Sequence, residues 1–175
     1  MRTAHETRHT VQIRDPSAED EPGLRAMFGR LSRETIYKRF HMPYPRVPET
    51  MLAHLMGYGA ERSLVAVAGG KIVGHALYAG EHGMEAEIAV VVEDGWQSRE
   101  IGKRLLSSLA RKAAGRGVET FTGAVLGENR RVLGLVEAVF AGSRHTLKDD
   151  SYDVSMPLRG LGSATKPDRK IRPAA

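Results

Sequence analysis

The chain has 175 residues, 41% of them hydrophobic and 27% charged, which suits one domain with a real core. It has no cysteine, so disulfides, thiolate metal sites and a cysteine nucleophile are excluded, and a cytoplasmic home is the expectation. The formal charge is +5, but the stretch from Leu158 to Ala175 carries a net +4 and Met1 to Thr10 a further +1, so the body between them is neutral and a nucleic-acid-binding domain is not expected.

Met1 to Thr10 holds Arg2, His5, Glu6, Arg8 and His9 rather than an apolar signal core, and reads as a flexible N-terminus. Val11 to Arg14 alternates and predicts a first strand. After the turn Asp15-Pro16-Ser17, helical spacing of Leu24, Met27, Phe28 and Leu31 predicts a helix over 19–31. Ser32 is an N-cap candidate for a second helix, Arg33 to Phe40, with Ile36, Tyr37 and Phe40 on one face. His41 to Pro48 contains three prolines and reads as a loop, and a short helix then runs from Pro48 to near Gly57.

Three strands are expected next: Ser63 to Ala68 and Lys71 to Ala79 around the hairpin signal Gly69-Gly70, then Glu85 to Val92 after a turn at Gly80 to Gly83. A loop leads to a helix from about Glu100 to Ala114, on which Ile101, Leu105 and Leu109 repeat every four residues and which Gly115 and Gly117 terminate. Val118 to Val125 reads as a strand and Asn129 to Phe140 as a helix with Val132, Leu135, Val136 and Val139 inward. Arg144 to Lys148 and Tyr152 to Pro157 form a closing hairpin. From Leu158 onward, glycine, proline and basic residues predict a disordered tail, so the folded domain is expected over 11–157. Strands and helices in this order predict an α/β sheet with helices on both faces. No apolar run approaches the ~20 residues needed to span a bilayer.

The chemistry concentrates in Glu85 to Leu106. A mostly apolar strand runs through a short loop into a helix, whose first N–H groups are able to hold an anion. Arg99, Lys103 and Arg104 crowd that helix start, where the dipole disfavours cations and a bound polyphosphate would reverse the conflict. A solvated helix end with a basic cluster accounts for the same residues. Glu81, Glu85 and Glu87, with His82, form an acidic cluster suited to a cationic amine, or simply an exposed turn. His54 and His75 read as packed or surface residues, no set of His, Asp and Glu has metal spacing, and no metal is expected.

Gln97-Ser98-Arg99-Glu100-Ile101-Gly102 resembles the [Gln/Arg]-x-x-Gly-x-[Gly/Ala] loop of the GNAT N-acetyltransferase superfamily, where a strand ending in a bulge precedes a loop that wraps the pyrophosphate of coenzyme A. Gln97 and Gly102 match, whereas Glu100 stands in place of the first glycine and has to point away or pair with Arg99, Lys103 or Arg104. Asn129 at a helix start resembles a second motif of the superfamily, although Val136 occupies the place of a frequent tyrosine acid and Phe140-Ala141 replaces Gly-Phe. Ser32 to Phe40 and Ala86 to Val92 resemble the acetyltransferase domain of bacterial protein lysine acetyltransferases.

The resemblance implies a mixed, mostly antiparallel sheet of about seven strands and acetyl-CoA as the acyl donor. Gln97, Ser98, Arg99, Glu100, Ile101, Gly102 and Lys103 would cradle the pyrophosphate, Val90, Val91 and Val92 would pair with pantetheine, and Asn129 would support the cofactor. Glu87 would be the base that frees an amine, on a protein lysine or a small molecule, for direct transfer. Set beside Ile88 and Val90, Glu87 is expected to be partly desolvated, which strengthens a carboxylate as a base. The alternative is a GNAT-fold module that binds acyl-CoA or a partner without catalysis, which Glu100 and Val136 favour. A homodimer is compatible with either reading, and Tyr37 or Tyr152 would have to fold close to replace the absent acid.

Overall fold

The computed structural model describes residues 10–56, 62–80 and 84–161. Gly69 and Gly70 both adopt positive φ, at 55° and 75°, the pair of left-handed residues that a two-residue hairpin matching the twist of its strands requires. They join β2 (Ser63–Ala68) to β3 (Lys71–Ala79), and β3 pairs in turn with β4 (Glu85–Val92). Outside this meander stand β1 (Val11–Arg14) on one side and β5 (Thr120–Leu126), β7 (Ser151–Pro157) and β6 (Arg144–Lys148) on the other, in the order β1-β2-β3-β4-β5-β7-β6. All neighbours are antiparallel except β4 and β5. That parallel pair requires a crossover, supplied by α4 (Ile101–Ala114).

Helices cover both faces. On one side α4 and α5 (Arg130–Val139) bury Leu105, Leu109, Leu133 and Val136 against Phe121, Val154 and Met156 of the sheet, with Phe140 set edge-on to Phe121 at 6.2 Å. Truncating a ring as deep as Phe121 costs about 3–5 kcal/mol. On the other side α1 (Glu21–Arg30), α2 (Arg33–Phe40) and α3 (Glu49–Met56) bury Met27, Phe28, Ile36 and Leu55 against Val65, Leu77 and Val91. Buried on both faces, β2 and β3 read as nearly continuous apolar runs.

Most element boundaries follow the sequence, and the differences have local causes. The helix predicted over 19–31 begins instead as a 3-10 turn over Ala18–Asp20, with Pro22 in the first turn of α1. Val118 does not start β5, because its N–H closes the end of α4 on the Ala113 carbonyl at 3.1 Å. The last hairpin turns on Asp149 and Asp150 alone, with Asp149 at φ 54°, so Ser151 joins β7. Ser32 caps α2 as expected, accepting from the Thr35 N–H at 3.1 Å. On α5 the sequence reading omitted Leu133, which is buried with Val136, while Val132, Leu135 and Val139 are only partly buried. Residues 1–9 and 162–175, the greater part of the stretches expected to be flexible and disordered, lie outside the described residues, as do the turn at Glu81 and His82 and the end of the third helix at Gly57. Leu158, placed by the sequence reading in the tail, is instead buried in the α4–α5 core with its N–H on the Glu119 carbonyl at 2.8 Å, and Leu161 packs against that core.

Candidate active site

The sheet is forked at its centre. β4 and β5 pair only from Glu85–Thr120 to Glu87–Thr122 and then separate. Past Glu87 the strands frame a cleft of about 1010 Å³ that reaches α2, the loop before α4 and the start of α5.

Hydrogen-bond alternation decides which backbone groups face this cleft. The Glu93 N–H donates to the Val73 carbonyl at 2.9 Å, so the residues of β4 in phase with it, Val91 and Ala89, bond to β3. Ile88, Val90 and Val92 turn their backbone groups the other way. The Val92 carbonyl is taken by Gln97 Nε2 at 3.0 Å, and Gly123 of β5 lies against the Ile88 carbonyl. Val90 is left with its N–H and C=O facing the gap. Of the predicted trio, therefore, Val90 offers an open edge, Val91 is committed to β3, and Val92 is partly used by Gln97. The bulge expected near the end of β4 is not found: β4 keeps one register against β3, and the irregularity in the meander falls at Ala66 and Val67 of β2.

The loop from Glu93 to Glu100 is built from side-chain anchors. Glu93 forms a two-pronged pair with Arg30 at 3.0 and 2.9 Å. Asp94 accepts from the Ser32 N–H at 3.0 Å, Ser32 Oγ at 2.5 Å and Thr35 Oγ1 at 2.8 Å, which ties the start of α2 to this loop. Burial pushes the Asp94 carboxyl up, but the Ser32 and Thr35 hydrogen bonds outweigh it and hold the group below its ordinary value. Gln97 also donates to Thr35 Oγ1 at 3.3 Å and accepts from Arg131 of α5 at 2.6 Å. Its side chain thus links β4, α2 and α5.

Ser98 and Glu100 have φ of 59° and 61°, in the left-handed region that favours glycine. Glu100 is the N-cap of α4 and gives no side-chain cap, so the N–H groups of Ile101, Gly102 and Lys103 open towards the cleft without one. The Glu100 carboxylate is three-quarters exposed and lies 3.5 Å from Lys103 Nζ, one of the pairings the sequence required. Gly102 permits close helix contact, since a Cβ there would stand 3.2 Å from Leu135. Ile101 is buried beneath the loop. Arg99 does not line the cleft; its guanidinium stacks 5.1 Å from the Trp96 ring.

Asn129 begins α5 at the cleft wall, and among the described residues its side chain has no hydrogen-bond partner. Glu87 stands at the fork, on the wall of the cleft, and is exposed. The desolvation expected from Ile88 and Val90 does not occur, because neighbours along a strand point to the opposite face. Glu85, two residues earlier, shares the face of Glu87; Glu81 and His82 fall outside the described residues. Val136 lines the cleft, and neither Tyr37 nor Tyr152 does; Tyr152 packs against His145 instead. Sequence reasoning missed Lys38, Arg39 and His41 at the end of α2, and Arg130 and Arg131, all of which line the cleft. The arginine pair beside Asn129 repeats the basic helix start of α4 and was open to the same argument. Lys38 and Arg39 fall in the Ser32 to Phe40 stretch that the resemblance singled out, from which no site role was drawn, and His41 carries no signal of either kind. His75 is buried, as one of the two readings had it, and packs against Phe28 at 6.0 Å. Among the described residues no group of three His, Asp or Glu side chains is placed to hold a metal ion.

The model of the acetyltransferase (GNAT) family matches residues 30–141. No curated sequence matches the chain. Among solved structures, the chain is similar to the GNAT domain of S. lividans PAT, with a TM-score of 0.73 and 24% identity over 84% of this chain and 90% of that one. It is also similar to a GNAT superfamily phosphinothricin acetyltransferase from Sinorhizobium meliloti in complex with AcCoA, at a TM-score of 0.69, 20% identity and coverage of 94% and 96%. A third similar structure is the ribosomal-protein-S18-alanine N-acetyltransferase from Escherichia coli, at 0.65, 18% identity and coverage of 85% and 94%.

Proposed function

The chain belongs to the acetyltransferase (GNAT) family, and from that premise we propose that it transfers the acetyl group of acetyl-CoA directly to an amine, with Glu87 as the base. The observation that carries this reading is the unpaired backbone of Val90, which leads from Glu87 at the fork to the open N–H groups at the start of α4.

The residues present fit the donor. An extended amide chain along the Val90 edge would continue the interrupted sheet pairing, as an added strand does. Beyond it, the first-turn N–H groups of Ile101, Gly102 and Lys103, with the Lys103 ammonium, suit a pyrophosphate. Asn129, without a side-chain partner among the described residues, faces the same channel from α5. The donor supplies an acyl thioester, whose carbonyl carbon is open to a neutral amine.

At neutral pH an alkylamine near pKa ~10.4 is mostly protonated, so the acceptor has to lose a proton before its nitrogen can attack. Glu87 takes that proton, directly or through one water, and its exposed carboxylate at the fork is within the cleft to do so. As the new C–N bond forms, the Val90 N–H stabilises negative charge on the carbonyl oxygen, which leaves the Val90 carbonyl and the Val92 N–H for the donor's amide chain. The C–S bond then breaks, the electron pair leaves on sulfur, and the surplus proton on the new amide nitrogen passes to that thiolate or to water. A thiol near pKa ~8.5 departs as thiolate without an obligatory acid, which suits a cleft where Val136 stands and no tyrosine of the described residues reaches.

Isothermal calorimetry with acetyl-CoA, followed by an amine-acceptor screen, tests the proposal. Micromolar binding with turnover, and a fall in kcat of about 10²–10⁴ in Glu87→Gln with acetyl-CoA affinity kept, is the expected result. Binding without transfer to any amine would instead identify a non-catalytic acyl-CoA-binding module.

A further inference from the structure

Side-chain parity puts Glu87 at one end of a row that crosses the sheet. On β4, Ala89 and Val91 pack with the α1–α3 core and Ile88, Val90 and Val92 with the α4–α5 core, so Glu87 points to the α1–α3 side. On β5 and β7, Phe121, Val154 and Met156 belong to the α4–α5 core, so Thr122 and Ser155 point to the side of Glu87. The registers are continuous: Glu87 opposes Thr122, Thr122 opposes Ser155, and Ser155 opposes Arg144. Directly opposed residues share a face. Glu87, Thr122, Ser155 and Arg144 therefore form one lateral row over four strands.

No residue of β5, β7 or β6 belongs to the α1–α3 core, so among the described residues no helix packs an apolar face onto this part of the sheet. Thr122 and Ser155 are half-buried, whereas Glu87 and Arg144 are exposed. The face is also charged in a definite pattern. Glu85 and Glu87 place two carboxylates at one end, beside a cleft that Lys38 and Arg39 of α2 also line. In the neighbouring rows Asp153 and Lys148 lie 3.8 Å apart and offset each other. Arg144 has no ion-pair partner among the described residues and leaves the far end basic.

We propose that this face is the docking surface for a protein acceptor, which presents its lysine to Glu87 and an acidic residue to Arg144. The proposal rests on Glu87 as the acceptor-side base and names the acceptor class. Three strand intervals separate the two ends, a span of about 14 Å. Four residues of extended peptide cover about 13 Å, a reach that a free amino acid lacks. A small amine would use the Glu87 end alone, and nothing in it would engage Arg144.

Fluorescence anisotropy with two labelled nonapeptides, in saturating CoA, tests the surface. Both carry a single central lysine; one has glutamate four residues to either side and the other has arginine there. The wild type is expected to bind the glutamate peptide about threefold or more tightly than the arginine peptide, the scale of one exposed ion pair gained and one repulsion avoided. Arg144→Gln should abolish the preference and Arg144→Glu should invert it, with unchanged thermal melts showing that both variants fold. Glu87→Gln should keep the preference. Equal affinity of the two peptides for the wild type, no binding of either, or a preference that survives Arg144→Glu overturns the proposal. Binding is read here without turnover, so failure of the acyl-transfer reading appears only in the transfer assay and is distinguishable from failure of the docking surface.

Discussion

Single residues show where a local rule was broken and what the fold did with it. Glu100 occupies a position at φ 61°, which costs an L-residue with a side chain about 1–2 kcal/mol relative to the right-handed region. The surface pair with Lys103 returns little of that. Glu100→Gly is therefore expected to stabilise the protein by about 0.5–1 kcal/mol, after allowance for the added freedom of glycine in the unfolded chain. Urea denaturation measures it, and a lower midpoint with unchanged slope would show that the Lys103 contact outweighs the strain. Glu87 teaches the complementary lesson. Its sequence neighbours are apolar, but a strand sends alternate side chains to opposite faces, so Ile88 cannot desolvate it and the fork leaves it open.

At the scale of elements, the position of α2 is set by a carboxylate outside it. Asp94 accepts from the N–H and hydroxyl of Ser32 and from Thr35, so the β4–α4 loop caps the helix that walls the other side of the cleft. Asp94→Ala removes those bonds at the helix start, and a loss of about 1–2 kcal/mol is expected in chemical denaturation. Asp94→Asn keeps the acceptor oxygen and should lose less. If Ala and Asn proved equal, the charge rather than the hydrogen-bond geometry would be holding the helix. Gln97 ties three elements in the same way, and a polar side chain with that many partners is a structural joint as much as a ligand contact.

For the molecule as a whole, a buried histidine governs acid stability. His75 lies in β3 between Phe28 and Val91; burial first, and the nearby Arg39 charge second, push it down from 6.5 to about 3. Between pH 6.5 and about 3 the unfolded chain binds a proton there that the folded chain does not. Stability therefore rises with pH in that window and falls on acidification, by up to about 1.4 kcal/mol per pH unit. Asp20, held down to about 2 by its hydrogen bonds from Arg14, adds a further loss below its ordinary range. Thermal melts from pH 7 to 4 should show a falling Tm in the wild type and a shallower fall in His75→Leu. Parallel curves would remove His75 from the account.

What the sequence determined by itself was whatever depends on neighbours in the chain. The period of Ile101, Leu105 and Leu109 gave an amphipathic helix, Gly69-Gly70 a hairpin, Ser32 a cap, and the loop from Gln97 to Gly102 a family resemblance that the match over 30–141 upholds. Tertiary structure decided what depends on partners distant in the chain. Where β4 leaves β5 fixes which backbone groups are unpaired, so Val90 is distinguished from Val91 and Val92 by strand pairing that no local pattern encodes. The same holds for Arg144, which the chain places 57 residues beyond Glu87 and the sheet places in its row. Periodicity assigns a side chain to a face, but only the pairing of strands says which faces meet, since register is a relation between segments and neither segment carries it alone.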